Sequence, residues 1–202
     1  MGQIFRRAEK YLDQIDSGQW LEIGSSRRGD DGSTRVISEW ATARDRYLDT
    51  VDVDPKICAA VQLLDLPRVS VTNQTGEQYL QNFVSSNSVI SFLYLDNFDW
   101  DWHPLNTEVF VQNQIVRYQS LGLEMNNVNC QAAHLNQAIL ACKILTERSL
   151  VVCDDTWFFP GWGVWCGKSG AAVPYLLSQG FQVLETEEYP VYGTILGRGI
   201  NE

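Results

Sequence analysis

The chain has 202 residues, of which 45% are hydrophobic, and its net charge is −10. This length and composition predict a single globular domain over residues 1–202 and exclude a disordered or low-complexity chain. The negative charge repels nucleic-acid phosphates and anionic membrane surfaces, so we expect neither as a partner. The first residues lack the apolar core of a signal peptide, and no apolar run is long enough for a membrane span, which together predict a cytoplasmic protein.

Hydrophobic periodicity in the first half of the chain alternates between helical and strand spacing. Apolar residues between Ile4 and Ile15 predict an N-terminal helix, and the strand WLEIG follows at 20–24. Ser33 is a plausible N-cap for the next helix. The predicted elements after it are strand YLDTVDV (47–53), a helix opened by Pro55, strand RVSVT (68–72), helix GEQYLQNF (76–83) and strand VISFLYL (89–95).

The second half continues the alternation after a segment, 105–128, whose period is unclear. A helix precedes strand SLVVC (149–153), and the helix in SGAAVPYLLSQGF (169–181) stops at Gly180. The last two strands, at 181–186 and 191–198, are joined by EEYP, which is too short for a parallel crossover. The sequence therefore predicts a doubly wound, mostly parallel seven-stranded sheet with an antiparallel last strand.

Sheets of this kind bind ligands beyond the carboxyl ends of their strands. Gly24 ends the first strand and allows close backbone approach, and Glu22 or the loop amides that begin at Ser25 are candidates to hold a charged amino-acid moiety. Asp52 ends the second strand, where a carboxylate can accept both hydroxyls of an adenosine ribose. Asp54 is the alternative for that role.

Acidic residues also follow the fourth and fifth strands, which we expect to be neighbours in the sheet. Asp96 follows one, and Asp154 with Asp155 follows the other. An all-oxygen cluster without His or Cys suits Mg²⁺ or another divalent cation. Strict alternation would point Asp154 and Asp155 to opposite faces, so both can bind one ion only if the strand ends at Cys153 and the chain turns. The alternative is a pair of solvated or helix-capping acids.

These features together resemble a class I S-adenosylmethionine-dependent methyltransferase over nearly the whole chain. The pattern of Asp96 with Asp154-Asp155 resembles, more specifically, the metal-dependent O-methyltransferases of the catechol type and of the type that tailors antibiotic sugars and macrolides. The first loop departs from the family, because SSRRGDDG makes it longer than usual. The resemblance implies a Rossmann-like methyltransferase fold, S-adenosylmethionine as cofactor and Mg²⁺ as the metal.

The resemblance also implies roles for individual residues. Thr75, Gly76 and Glu77 lie where related enzymes hold the adenine, and Asp96 adjoins the cofactor as well as the metal. The catechol-type enzymes place a catalytic lysine three residues after the first metal-binding Asp, but this chain has Asp99 there. The sugar-tailoring relatives use an aspartate nearby. Asp99 is therefore the candidate general base, with Asp101 as the alternative, and the acceptor is expected to be an aliphatic or sugar hydroxyl.

Other motifs have more ordinary interpretations. Gly167-Lys168-Ser169 matches the end of a P-loop, but Trp162 stands where that motif requires a glycine. The Trp-rich segment 157–166 is expected to be a loop, either a lid over the acceptor or a packed cover for the sheet edge. His134 is expected to be an ordinary polar residue of its helix.

We therefore expect transfer of a methyl group from S-adenosylmethionine to a hydroxyl of a small molecule, assisted by the metal. One alternative keeps the fold and the metal but carries out another reaction, as in relatives labelled hydroxylases. Another is a cofactor-binding protein without catalytic activity. A homo-oligomer is compatible with each of these functions.

Overall fold

The computed structural model describes residues 4–26, 28, 31–101, 109–187 and 192–201. Within these ranges the strands are β1 (Gln19–Ile23), β2 (Leu48–Asp52), β3 (Val69–Asn73), β4 (Ile90–Leu95), β5 (Leu145–Asp154), β6 (Thr156–Phe159), β7 (Val164–Gly167), β8 (Gln182–Glu187) and β9 (Gly193–Arg198). The helices are a 3₁₀ helix (Ile4–Tyr11), α1 (Ser33–Ala43), α2 (Pro55–Gln62), α3 (Gly76–Val84), α4 (Val109–Ser120), α5 (Asn127–Ala141) and α6 (Ala172–Ser178). None of these helices is long and apolar enough to cross a membrane.

Seven of the described strands form one sheet in the order β3-β2-β1-β4-β5-β9-β8. The first five strands in the chain pair in parallel, and β9 runs antiparallel to both β5 and β8. The predicted doubly wound sheet with an antiparallel last strand is therefore confirmed. Because β1 lies between β2 and β4, the strand order reverses at β1, and the crevice at its carboxyl end is where such sheets bind ligands.

β4 forms the centre of the core because both faces of the sheet are covered there. Phe92 and Tyr94 belong to the cluster on one face, with the 3₁₀ helix and α1, whereas Leu93 and Leu95 belong to the cluster on the other face, with α5 and α6. All six residues of β4 are buried. A near-continuous apolar run is typical of a parallel strand that is covered on both sides.

Two elements differ from the predicted ones, and several predicted segments lie outside the described residues. The Trp-rich segment is not a loop, because β6 and β7 pair as a separate antiparallel hairpin. The N-terminal helix is a 3₁₀ helix, although its apolar face is buried as predicted. Residues 188–191, which include most of the predicted connection EEYP, residues 102–108, and Arg27, Gly29 and Asp30 lie outside the described residues.

Gly24 brings the ends of β1 and β4 into close contact. Its φ of +99° is in the region that favours glycine, and a Cβ there would lie 2.4 Å from the amide nitrogen of Asn97 and 2.6 Å from the carbonyl oxygen of Asp96. The Asp96 amide in turn donates to the carbonyl of Ile23 at 2.9 Å. The backbone that carries Asp96 is therefore held in place by a position that only glycine fits.

We predict that Gly24→Ala destabilises the protein much more than Gly122→Ala. Gly122 also has a positive φ, +73°, but no atom lies within 4 Å of its added Cβ. Gly122→Ala therefore measures only the cost in folding free energy of placing alanine at a positive φ. Overpacking at Gly24 should lower the free energy of unfolding by roughly 1–3 kcal/mol beyond the control, as measured by urea denaturation. Equal losses in the two variants would contradict the close contact with Asp96 and Asn97.

Candidate functional site

A cavity of about 980 Å³ opens at the carboxyl ends of the central strands. Every residue that the sequence predicts for the site lines it except Glu22. The predicted residues on its wall are Gly24, Ser25, Asp52, Thr75, Gly76, Glu77, Asp96, Asp99, Asp154 and Asp155. One cavity therefore contains the candidate cofactor residues, the acidic cluster and the candidate base.

Asp52 and Asp54, the two candidates to accept the ribose hydroxyls, lie in different environments. The Asp52 carboxylate accepts the amides of Ser25 at 3.2 Å and of Asp54 at 2.8 Å, and it lines the cavity. Burial raises its pKa above the usual value, opposed by these hydrogen bonds. Asp54 instead caps α2 by accepting the Lys56 amide and pairs with Arg117 Nε at 2.8 Å. This arrangement favours Asp52 as the ligand-binding acid and gives Asp54 a structural role.

Glu22 is fully buried and does not reach the cavity wall. Its carboxylate accepts hydrogen bonds of 2.6 Å from the hydroxyls of Ser33, Thr34 and Thr50. Burial raises its pKa to about 7, although the three hydroxyls act in the opposite direction. Glu22 thus joins the start of α1 to β1 and β2, away from the cavity wall where the sequence prediction placed it.

The turn into α3 presents Thr75, Gly76 and Glu77 to the cavity. Thr75 is the N-cap, and its hydroxyl accepts the Gln78 amide while the Gln78 side chain accepts the Thr75 amide, which makes a capping box. A Cβ on Gly76 would lie 2.6 Å from Ile23 Cγ2, so the turn packs closely on the end of β1. This part of the wall is therefore a capped helix start that packs on β1.

The acidic cluster forms as the sequence predicts. One carboxylate oxygen from each of Asp96, Asp154 and Asp155 can be chosen so that all three lie within 4.8 Å of one another. β5 continues to Asp154, one residue further than expected, and the chain turns at Asp155 with a φ of +45°. Tyr94 also donates its hydroxyl to Asp96 at 3.2 Å. The turn at Asp155, rather than an early end of the strand, brings the adjacent acids together.

Lys168 lies within this cluster and was not predicted from the sequence. Its Nζ is 2.7 Å from Asp96 Oδ1 and 3.0 Å from Asp155 Oδ2, and the residue is only 4% exposed. Burial opposes the charge, but the attraction of Asp96, Asp155 and Asp154 outweighs it and raises the pKa of Lys168 well above its usual value. Burial, together with the neighbouring acids, also raises the pKa of Asp154 well above its usual range. The cluster therefore contains its own cation.

A sequence signal for Lys168 does exist. It is the only charged residue between Asp155 and Glu185, in a stretch rich in apolar and small residues. A lone lysine in such a stretch is either exposed at a turn or buried with acidic partners. The acids lie 13 or more residues away in sequence, so its partners could be identified only from the fold.

His134 connects the loop after β4 to the turn that carries Lys168. Its Nε2 lies 2.6 Å from the carbonyl of Asn97, and its Nδ1 lies 2.6 Å from Ser169 Oγ. Burial lowers its pKa to about 4, so the ring is neutral. A carbonyl can only accept, hence Nε2 carries the proton and Nδ1 accepts the hydroxyl of Ser169. His134 is thus a buried connector rather than the ordinary polar helix residue that we expected.

Asp99 and Asp101 differ in their access to the cavity. Asp99 lines the wall, and its amide donates to the Tyr118 hydroxyl at 2.8 Å. The Asp101 amide donates to Asn127 Oδ1, also at 2.8 Å, and Asp101 does not line the cavity. Access to the cavity therefore favours Asp99 as the candidate base.

Four of the five hairpin aromatics pack on one another, whereas Trp157 packs on Tyr192, which lines the cavity, with ring centroids 4.8 Å apart. Phe158 lies against Trp165 and Phe159 against Trp162, with ring centroids 5.2 Å and 5.1 Å apart. None of the aromatic residues of β6, β7 and their turn lines the cavity as the described residues define it. Trp162, at the tip, is 79% exposed. This arrangement favours a packed cover over a lid.

Comparison with known proteins gives structural matches only. No protein-family model matches the sequence, and no curated protein matches it.

A Streptococcus mutans candidate methyltransferase in complex with S-adenosylhomocysteine has a TM-score of 0.56 at 11% identity, with 98% of this chain and 99% of that chain covered. An rRNA methylase from Streptococcus thermophilus has a TM-score of 0.55 at 8% identity, with 98% of each chain covered. The N-methyltransferase NodS from Bradyrhizobium japonicum has a TM-score of 0.50 at 13% identity, with 98% and 96% covered. The chain thus has the Rossmann-like fold of class I methyltransferases.

We predict that Glu22→Gln changes the pH dependence of stability. A carboxyl group with a pKa of about 7 in the folded state and 4.5 in the unfolded state holds its proton more tightly when folded. Its stabilising contribution is present below pH 4.5 and is lost as the pH rises to 7. The free energy of unfolding of the wild type, relative to Glu22→Gln, should therefore fall by about 3 kcal/mol across this range.

Urea denaturation of both proteins at several pH values measures this difference directly. His134, whose lowered pKa makes the protein less stable at acidic pH, is common to both and cancels in the comparison. A difference that does not vary with pH would mean that Glu22 is ionised in the folded protein.

Proposed function

We propose that the protein binds S-adenosylmethionine in this cavity and transfers its methyl group to a hydroxyl of a small molecule. The observation that carries the proposal is the continuity of one cavity from Asp52 and Thr75 to Asp96 and Asp99. Such a cavity can hold a nucleoside at one end and an acceptor at the other. The shared fold, and the S-adenosylhomocysteine bound in the S. mutans structure, support this choice of cofactor.

At the cofactor end, Asp52 would accept the ribose hydroxyls. The amides of Ser25 and Asp54 hold its two oxygens in place, and each oxygen retains capacity for a further donor. The wall formed by Thr75, Gly76 and Glu77 would take the adenine, and the backbone at Gly24 and Ser25 would take the methionine end. Glu22 would act through the loop that it anchors.

The charge of the cavity suits a cationic cofactor and disfavours a nucleic acid. The cluster has three carboxyl groups, of which Asp154 has a strongly raised pKa, against the single ammonium of Lys168. The remaining negative charge complements the sulfonium of S-adenosylmethionine. Although an rRNA methylase shares the fold, a net charge of −10 would repel a phosphate backbone, which supports a small-molecule acceptor.

In the proposed reaction, Asp99 takes the proton of the acceptor hydroxyl as the oxygen attacks the methyl carbon. The new bond joins that oxygen to the methyl group, and the bond from the methyl carbon to sulfur breaks, leaving a neutral thioether. Holding both reactants in line supplies much of the acceleration, and the base supplies the rest. Asp101 is the weaker candidate because it does not face the cavity.

A divalent metal does not fit the cluster while Lys168 occupies it. The donor set consists of carboxylate oxygens, as Mg²⁺ prefers. However, the Lys168 ammonium is already within hydrogen-bond distance of Asp96 and Asp155, two of the three acids that would bind the ion. No step of the proposed reaction therefore passes through a metal.

Two further possibilities remain to be separated by experiment. Transfer to nitrogen is one, because NodS, which shares the fold, is an N-methyltransferase. A cofactor-binding protein without catalytic activity is the other, and it would bind S-adenosylmethionine without turnover. Incubation with methyl-labelled S-adenosylmethionine and matched hydroxyl and amine acceptors separates all three, since only the true acceptor class becomes labelled.

We predict that S-adenosylhomocysteine stabilises the protein and that Asp52→Asn removes about half of this effect or more. At about a hundredfold excess over its Kd, a ligand that binds only the folded state adds roughly 2.7 kcal/mol to the free energy of unfolding. Loss of a charged acceptor for the ribose hydroxyls should weaken binding about 10- to 100-fold.

The matched control is Asp54→Asn, which alters a neighbouring acid that does not line the cavity. Calorimetry should give it nearly the wild-type affinity. Absence of both heat and thermal stabilisation with S-adenosylhomocysteine in the wild type would contradict the proposed function.

We predict that Asp99→Asn lowers kcat by roughly 10²- to 10⁴-fold, the usual contribution of a general base, with little change in the KM for the cofactor. Asp101→Asn is the matched control and should retain most of the activity. The measurement is steady-state kinetics on the acceptor found by labelling. Wild-type kcat in Asp99→Asn would assign the base to another group or to water.

A further inference from the structure

The repulsion among the acids of the cluster is compensated by one side chain of the protein itself. Asp96 follows β4, Asp154 ends the neighbouring strand β5, and Asp155 adjoins them. Carboxylates this close repel one another and lose hydration, so they need a cation. The sequence suggests a bound metal for this role, whereas the structure places the Lys168 ammonium there.

The backbone around Lys168 is built to hold it in this position. The Lys168 amide donates to the Asp155 carbonyl at 3.0 Å. Gly167 has a φ of +84°, and a Cβ there would lie only 1.8 Å from the same carbonyl oxygen, so no other residue type fits. The next amide, that of Ser169, donates to Thr156 Oγ1 at 2.9 Å. The lysine therefore enters the cluster from a turn that is bonded directly to the acidic segment.

His134 ties the same turn to the other acid-bearing segment. Its neutral ring joins Ser169 Oγ to the carbonyl of Asn97, the residue after Asp96. The turn is thus connected to Asp155 by a backbone hydrogen bond and to the residue after Asp96 through the His134 side chain. These bonds hold the turn, and the ammonium that extends from it is buried against Asp96 and Asp155.

We propose that Lys168 is a tethered cation that takes the place of a divalent metal in this site, so that the protein works without one. The ammonium neutralises the acids, and its burial keeps it within the cavity wall, where its position relative to Asp99 does not depend on a diffusible ion. Which cation the cluster holds does not depend on the proposed function. Catalysis without a metal does rest on the proposed function.

The experiment is a titration of the full-length protein with Mn²⁺, in which free ion is counted by electron paramagnetic resonance. The wild type should bind no ion at the cluster. Lys168→Ala should bind one ion per chain, with a Kd at least about tenfold below the highest Mn²⁺ concentration at which the wild type shows no binding, because the acids lose their internal cation. Adding Asp155→Asn to Lys168→Ala should abolish the gain. Lys143→Ala, which removes an exposed lysine outside the cavity, should behave as the wild type.

The wild-type titration decides the matter even if Lys168→Ala does not fold. One Mn²⁺ bound per wild-type chain, and lost in Asp155→Asn, would overturn the proposal, as would a folded Lys168→Ala that binds no more ion than Lys143→Ala. Thermal stabilisation by S-adenosylhomocysteine is measured on the same protein preparations, in buffer that contains EDTA and no Mn²⁺. Failure of the wild type to respond to S-adenosylhomocysteine would contradict the proposed function while leaving the metal result intact.

Discussion

The ion pairs of Lys168 with Asp96 and Asp155 are the interaction on which the candidate site depends. A buried ion pair adds little net stability, since the desolvation of both partners offsets their attraction. Removing one partner alone is costly, because it leaves a buried charge without compensation. A cluster of this kind is therefore better explained by what it does in the cavity than by what it adds to folding.

Buried contacts connect the segments that line the two ends of the cavity. Gly24 sets the loop after β1 against the backbone of Asp96, and Glu22 joins the same loop region to α1 and β2 through three hydroxyls. His134 joins the loop after β4 to the turn after β7. The segments that would hold a cofactor and those that would hold an acceptor thus share buried connections, which suits a reaction that depends on alignment.

Much of this arrangement could be predicted from local patterns. The apolar run of β4, the short connection before β9 and the acids at the strand ends each depend on a few adjacent residues, so they identified the sheet and the positions of Asp52 and Asp96. Lys168 could not be paired in advance, because its partner Asp96 is 72 residues away in sequence. The burial of Glu22 and His134 depends in the same way on distant hydroxyl and carbonyl groups. Periodicity describes which face a residue occupies, but it does not identify which group meets it there.

The pairing register of the hairpin formed by β6 and β7 sets the position of Lys168 relative to Asp155. Its register pairs Thr156 with Gly167, so the residues that flank Asp155 and Lys168 stand opposite each other at its base. Equal additions to both strands would lengthen the exposed tip around Trp162 and leave the base unchanged, whereas a shift of one residue in a single strand would turn its side chains to the other face. The tip can therefore vary in length and sequence, in steps of matched pairs, without disturbing the charge balance of the site.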